Sequence, residues 1–144
     1  MTDPDWITTA CEITHTAVTA LTATEHQALI ATVLDNLGVD ITARAPWDAP
    51  EAPPGQRRSD GWELVARYAG SAPCLMFLEG ATTVWRFQHG EDQARVLAEC
   101  PPGEFFVCDE AASYLLCSNH HDVVIGWGAA TAWVDALAQS TSPS

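Results

Sequence analysis

Between residues 74 and 127, five short apolar or β-branched runs follow one another, separated by turns and in one place by a short helical pattern. They are 74–78 (Cys-Leu-Met-Phe-Leu), 82–87 (Thr-Thr-Val-Trp-Arg-Phe), 104–108 (Glu-Phe-Phe-Val-Cys), 113–117 (Ser-Tyr-Leu-Leu-Cys) and 123–127 (Val-Val-Ile-Gly-Trp). Runs of this length and composition, bounded by Gly, Asp, Asn and Ser, predict β-strands. Neighbouring runs joined by short turns pair antiparallel, because parallel neighbours need a crossover of a dozen residues or more. Glu79-Gly80-Ala81 closes the first hairpin, and Ser118-Asn119-His120-His121-Asp122 closes the last. Residues 91–99, with Ala94, Val96 and Leu97, predict a helix that Pro101-Pro102-Gly103 stops.

The segments before and after these runs are helical in pattern. Asp3-Pro4 supplies a cap and a first-turn proline, and Trp6, Ile7, Ala10, Ile13, Ala17 and Leu21 recur every three or four residues, which predicts a helix over 4–21. Thr24 and Gln27 have capping-box spacing and open a second helix through Leu37, which Gly38 ends. The pair reads as a helical hairpin. Residues 43–60 carry Pro46, Pro50, Pro53, Pro54 and Gly55 and predict a loop, either a linker or a lid. Asp60 is placed to cap a short helix through Trp62, Leu64, Val65 and Tyr68, closed by Gly70, and 129–138 predicts a last helix with Trp133, Val134 and Leu137 on its apolar face. The expected class is α+β: an N-terminal helical hairpin, an antiparallel sheet of four or five strands, and a C-terminal helix packed on the sheet, the helices covering one face. The expected organisation is a single domain over 1–139 with a disordered tail at 140–144.

Charge narrows the function classes. Nineteen Asp and Glu against six Arg and no Lys give the 144-residue chain a formal net charge of −13, and no basic stripe offsets it. Phosphate backbones and anionic membrane surfaces are repelled by such a chain, whereas a basic protein is attracted. The N-terminal residues include acids and no basic leader, and no apolar run approaches 18 residues, so the expected location is cytoplasmic. Cys11, Cys74, Cys100, Cys108 and Cys117 are odd in number and irregular in spacing, which points to reduced thiols packed as small apolar groups.

The densest polar constellation is the 117–122 stretch. His120, His121 and Asp122 have the chemistry of a general acid and base or of metal ligands, and Cys117 could add a thiolate. Adjacent histidines on an extended strand point to opposite faces, and no third ligand stands at a standard spacing, so no metal is expected. Asn119 and Asp122 are also ordinary turn residues. Asp109 and Glu110 follow the third strand and, with Asp122, would form an acidic rim at one end of the sheet. Trp127 and Trp47 are candidate surface indoles, Trp62, Trp85 and Trp133 fall on apolar faces, and His15, His26 and His89 read as surface or helix-face residues. No phosphate-binding glycine loop, nucleophile elbow or dinucleotide fingerprint is present, so no cofactor is expected.

Over residues 73–138 the succession of an aromatic strand at 104–108, the hairpin Tyr114-Leu-Leu-Cys-Ser-Asn-His-His-Asp122, a glycine and a closing helix resembles small bacterial immunity-like domains of polymorphic toxin systems and related uncharacterised families. The resemblance implies an α+β protein that binds and blocks a toxin, and it assigns no catalytic residue. On this reading Asp109, Glu110, Asn119, His120, His121, Asp122 and Trp127 form a binding surface for a basic protein partner. Two alternatives stay open: a small tailoring enzyme using His120, His121 and Asp122 as acid and base under a 43–60 lid, and a homodimeric accessory or scaffold protein built on exposed indoles.

Overall fold

The computed structural model describes residues 4–43, 46, 52–100, 103–119 and 121–137. Asp3, Trp47, Pro50, Pro101, Pro102, His120 and the 140–144 tail lie outside the described residues. The elements run α1 (Pro4–Ile13), β1 (Thr19–Ala20), α2 (Ala23–Leu37), β2 (Gln56–Arg57), α3 (Gly61–Arg67), β3 (Cys74–Phe77), β4 (Val84–Phe87), α4 (Gly90–Ala98), β5 (Phe105–Cys108), β6 (Tyr114–Ser118), β7 (Val123–Gly128) and α5 (Thr131–Leu137). Among the described residues the strands form one antiparallel sheet in the order β1-β4-β3-β5-β6-β7-β2. The class is α+β.

The five expected strands are present, and two further two-residue strands flank them. Residues within the expected 43–60 loop contribute one, since Gln56 and Arg57 pair with Val124 and Val123 on β7. The other, β1, pairs Thr19 and Ala20 with Arg86 and Trp85 on β4. It occupies sequence expected to be helix, because α1 stops at Ile13. Thr14 Oγ1 turns back to the carbonyl of Ala10 at 2.8 Å, the N–H of Thr16 reaches the carbonyl of Cys11 and that of His15 the carbonyl of Glu12. These two backbone bonds are the Schellman termination, with His15 at φ 53° in the left-handed position glycine usually takes. The second helix is capped two residues earlier than expected, by Thr22 and Glu25 rather than Thr24 and Gln27.

Helices cover both faces of the sheet, not one, and the two N-terminal helices do not form a hairpin. Ile7, Ala10 and Cys11 of α1 join Val65, Val96 and Val134 of α3, α4 and α5 over Met76, Val107, Leu116 and Val124. Leu29 and Val33 of α2, with Val39 and Ile41 after it, lie on the opposite face over Leu75, Phe106, Leu115 and Ile125. Strands covered on both sides are apolar at successive positions instead of alternating, which is the pattern of β3, β5 and β6. On the α2 face Phe77 and Phe106 stack with ring centroids 5.2 Å apart, a contact that contributes about 0.5–1.5 kcal/mol beyond area burial. Trp85 is buried as expected, Trp133 packs edge-on against Tyr68, and Trp62 stands 37% exposed, outside the core that its spacing suggested.

Candidate functional site

Two hairpin turns carry most of the polar candidates, and both are built in the same way. In each, an Asp or Asn begins the turn, its carbonyl accepts the N–H of the residue three positions on, and that residue sits in the left-handed region. For the β5–β6 turn these are Asp109 and Ala112 (φ 52°), and for the β6–β7 turn Asn119 and Asp122 (φ 60°). In each, the first side chain also accepts the backbone N–H four residues on: Ser113 N donates to Asp109 Oδ1 at 2.7 Å, and Val123 N donates to Asn119 Oδ1 at 3.1 Å. His121 N adds a second bond to the same Asn119 oxygen at 2.8 Å, and the Ser113 hydroxyl adds one to Asp109 Oδ2. Short Asx side chains do this because they reach nearby backbone amides without leaving the turn. Asp109 and Asn119 are therefore turn builders.

The two turns lie at opposite ends of β6. Cys108 pairs with Leu115 and Phe105 with Ser118, so the length of the strand, roughly 15 Å at about 3.3 Å per residue, separates Asp109 and Glu110 from Asp122. The expected single acidic rim does not form. At the β6–β7 end His121 and Asp122 are exposed, and the carbonyl of Asp122 accepts the N–H of Arg58 at 2.8 Å. Asn119 is buried. Trp127 is buried too, in the α2-face core beside Leu115, and so is not a surface indole. His26 pins α2 to the β3–β4 turn through the carbonyl of Ala81, and His89 meets the carbonyl of Ser71 at 2.8 Å.

Cys117 faces the α2-side core with no exposed surface, and burial pushes its thiol well above the ordinary range. A nucleophilic cysteine needs the opposite environment, so Cys117 is a core thiol and not an activated thiolate. The other thiols follow the same logic: burial raises Cys11, Cys74 to about 12, Cys100 to about 11, and Cys108 further. All five are free, and Cys100 is the least buried. The folded protein at pH 8 should accordingly react slowly with a thiol reagent, Cys100 first, while Cys108 and Cys117 label only on unfolding. Peptide mapping after timed iodoacetamide treatment reads this directly, and early modification of Cys117 would contradict it. Among the described residues, no group of three His, Cys, Asp or Glu is arranged to hold a metal ion, and no helix is long and apolar enough to cross a membrane.

A cleft of about 200 Å3 opens where α2 crosses the β4–β3 side of the sheet, and Glu110 is the candidate site residue that lines it. It is lined by Leu21, Leu29 and Leu75 and by Arg86, which is held between Glu25 and Glu110. Arg86 donates to Glu110 Oε1 from Nε at 2.6 Å and to Glu25 Oε2 from Nη2 at 3.1 Å. Two signals stood in the sequence: Glu110 in the acidic pair after the third strand, and Arg86, a charge within the β-branched run 82–87.

Glu25 also receives the backbone N–H of Thr22, and that bond first, then Arg86, holds its carboxyl below the usual range. Asp60 is held low by the two-pronged contact from buried Arg58, and Asp40 by the hydroxyl and N–H of Thr42. Asp60 thus grips Arg58 instead of capping α3 with its side chain. Carboxylates lowered in the folded state stabilise it above their unfolded values near 4, and that stabilisation disappears as pH falls through their folded values. Because repulsion within a chain of net charge −13 eases on mild acidification, Tm should rise from pH 8 toward about pH 5 and fall below about pH 4. Scanning calorimetry across pH 2–8 tests this. Asp60→Asn should flatten the acid limb, and an unchanged limb would remove the Arg58–Asp60 pair as its source.

Comparison with protein-family models, with curated proteins and with solved structures finds no match to this chain.

Proposed function

We propose that this protein is an acidic protein-binding module that engages and neutralises a basic protein partner, in the manner of the bacterial immunity-like domains that residues 73–138 resemble. The observation that carries the reading is where the arginines are spent. Arg58, Arg67, Arg86 and Arg95 each sit in an ion pair with an acid of the same chain: Asp60, Glu63, Glu25 with Glu110, and Asp92. Little positive charge is left to offset exposed carboxylates such as Glu12, Asp35, Asp40, Glu99, Asp122 and Asp135. A surface of this sign speeds encounter with a basic protein and makes the on-rate depend on salt.

The test is retention of partners by the tagged protein from a lysate of its source, washed at low and high salt, followed by calorimetric titration of the purified pair. A single basic protein, bound in a defined stoichiometry with affinity falling as salt rises, supports the reading. Retention of no basic protein at low salt, with the candidate partner shown to be expressed, sinks it.

A further inference from the structure

We infer that the cleft between α2 and the β4–β3 side of the sheet receives a single lysine or arginine side chain from the partner. The inference rests on the acidic-module reading and gives that module a point of insertion. Ligand pockets for small molecules run from about 300 Å3 upward, so a cleft of about 200 Å3 is small for a cofactor or metabolite and suited to one side chain. Its lining is of two kinds. Leu21, Leu29 and Leu75 offer apolar surface for an aliphatic stem, and the carboxylates of Glu25 and Glu110 offer counter-charge for a cationic head. Long basic side chains bury their stems and keep their charge at a polar boundary in this way.

Charge selects the cation over an anion. Arg86 balances one of the two carboxylates, leaving the cleft one negative charge within a chain of net charge −13. Glu110 is 62% exposed and meets Arg86 through Oε1 alone, whereas Glu25 is 42% exposed and spends its Oε1 on the N–H of Thr22 as well as its Oε2 on Arg86. Glu110 is therefore the principal anchor, and Arg86 is a positioning residue that holds both carboxylates at the cleft.

The experiment is a titration of 15N-labelled full-length protein with N-acetyl-arginine amide, followed by amide and arginine Nε resonances. N-acetyl-citrulline amide, which has the same shape without the charge, is the control. Shifts should concentrate on Ala28, Thr32, Leu75 and Arg86 and be absent with the citrulline compound. Glu110→Gln should weaken binding about fivefold, the upper range for an exposed charge pair, while Glu91→Gln, exposed on α4 across the sheet, leaves it unchanged. Ala28→Leu fills the cleft without altering a charge and should abolish the shifts even where Glu110→Gln perturbs the turn. Shifts scattered over all exposed carboxylates, equal shifts with citrulline, or equal losses in Glu110→Gln and Glu91→Gln would each overturn the cleft. If the same Glu110→Gln and Ala28→Leu proteins still retain a basic partner at full affinity, only the cleft fails. If localised shifts occur and no basic partner is retained, only the module reading fails.

Discussion

Gly128→Ala should lower the stability of the protein by about 3 kcal/mol, which for a chain of this size is about 10 °C in Tm. Two separate penalties add at this position. Gly128 has φ 67°, where an L-residue costs about 1–2 kcal/mol. A Cβ there would also stand 2.6 Å from the carbonyl oxygen of Ser113 and 2.7 Å from Leu37 Cδ2. The Ser113 carbonyl is the obstacle, being backbone held by the N–H of Ala129 at 2.9 Å, whereas the Leu37 methyl is the tip of a half-buried side chain that can turn aside. Forcing an extra carbon into such a contact costs about 1–3 kcal/mol. Gly38 separates the two terms, since it has φ 71° and nothing within 4 Å of the Cβ position. Gly38→Ala should therefore lose about 1 kcal/mol, the conformational part alone. Chemical denaturation of both variants reads the difference, and equal losses would show that the Ser113 carbonyl is not the obstacle. Because Ser113 closes the turn that carries Glu110, Gly128→Ala should also loosen the cleft, whereas Gly38→Ala should leave it intact.

The five strands, α3, α4, α5 and the class of the fold were legible because each is written in local signals: apolar runs, short turns and helix stops within a few residues of their true positions. Three things were not. The end of α1 was hidden because histidine fills a termination site where glycine is the usual mark, while Ala17 and Leu21 continue the helical spacing past it. The separation of α1 and α2 onto opposite faces is a non-local fact, although the unbroken apolar character of Cys74–Phe77 and Phe105–Cys108 carried it: strands that alternate have one wet face, and these do not. The site was read as a cluster because its residues are close in sequence. Asp109, Glu110, Asn119 and Asp122 are all turn residues, but one strand length places them at two ends of the sheet, and the acid that matters for the cleft is joined by Glu25 and Arg86 from elsewhere in the chain. Polar composition marked both turns correctly; it could not say that Asp109 and Asn119 spend their side chains on their own backbone.

That distinction governs what mutations at the β6–β7 turn should do. Asn119→Ala removes the acceptor of two backbone N–H groups, from His121 and Val123, at a residue that is itself buried, and should destabilise by about 2–3 kcal/mol, or about 6–10 °C in Tm. Only Oδ1 of Asn119 is used in these two bonds, so Asn119→Asp keeps both and should recover more than half of the loss at neutral pH, despite placing a charge in a buried position. His121→Ala alters an exposed side chain and leaves the bonds from the backbone to Asn119 Oδ1 in place, so it should destabilise less than Asn119→Ala does. Melting curves of the three variants decide between a turn that is structural and one that is kept for chemistry. If Asn119→Ala melts like the parent, its side-chain bonds contribute nothing and the turn is free to serve another purpose. If it melts early and Asn119→Asp does not, any loss of partner affinity in Asn119→Ala follows from the unfolded turn, and the carboxylate of Asp122 must be tested separately through Asp122→Asn.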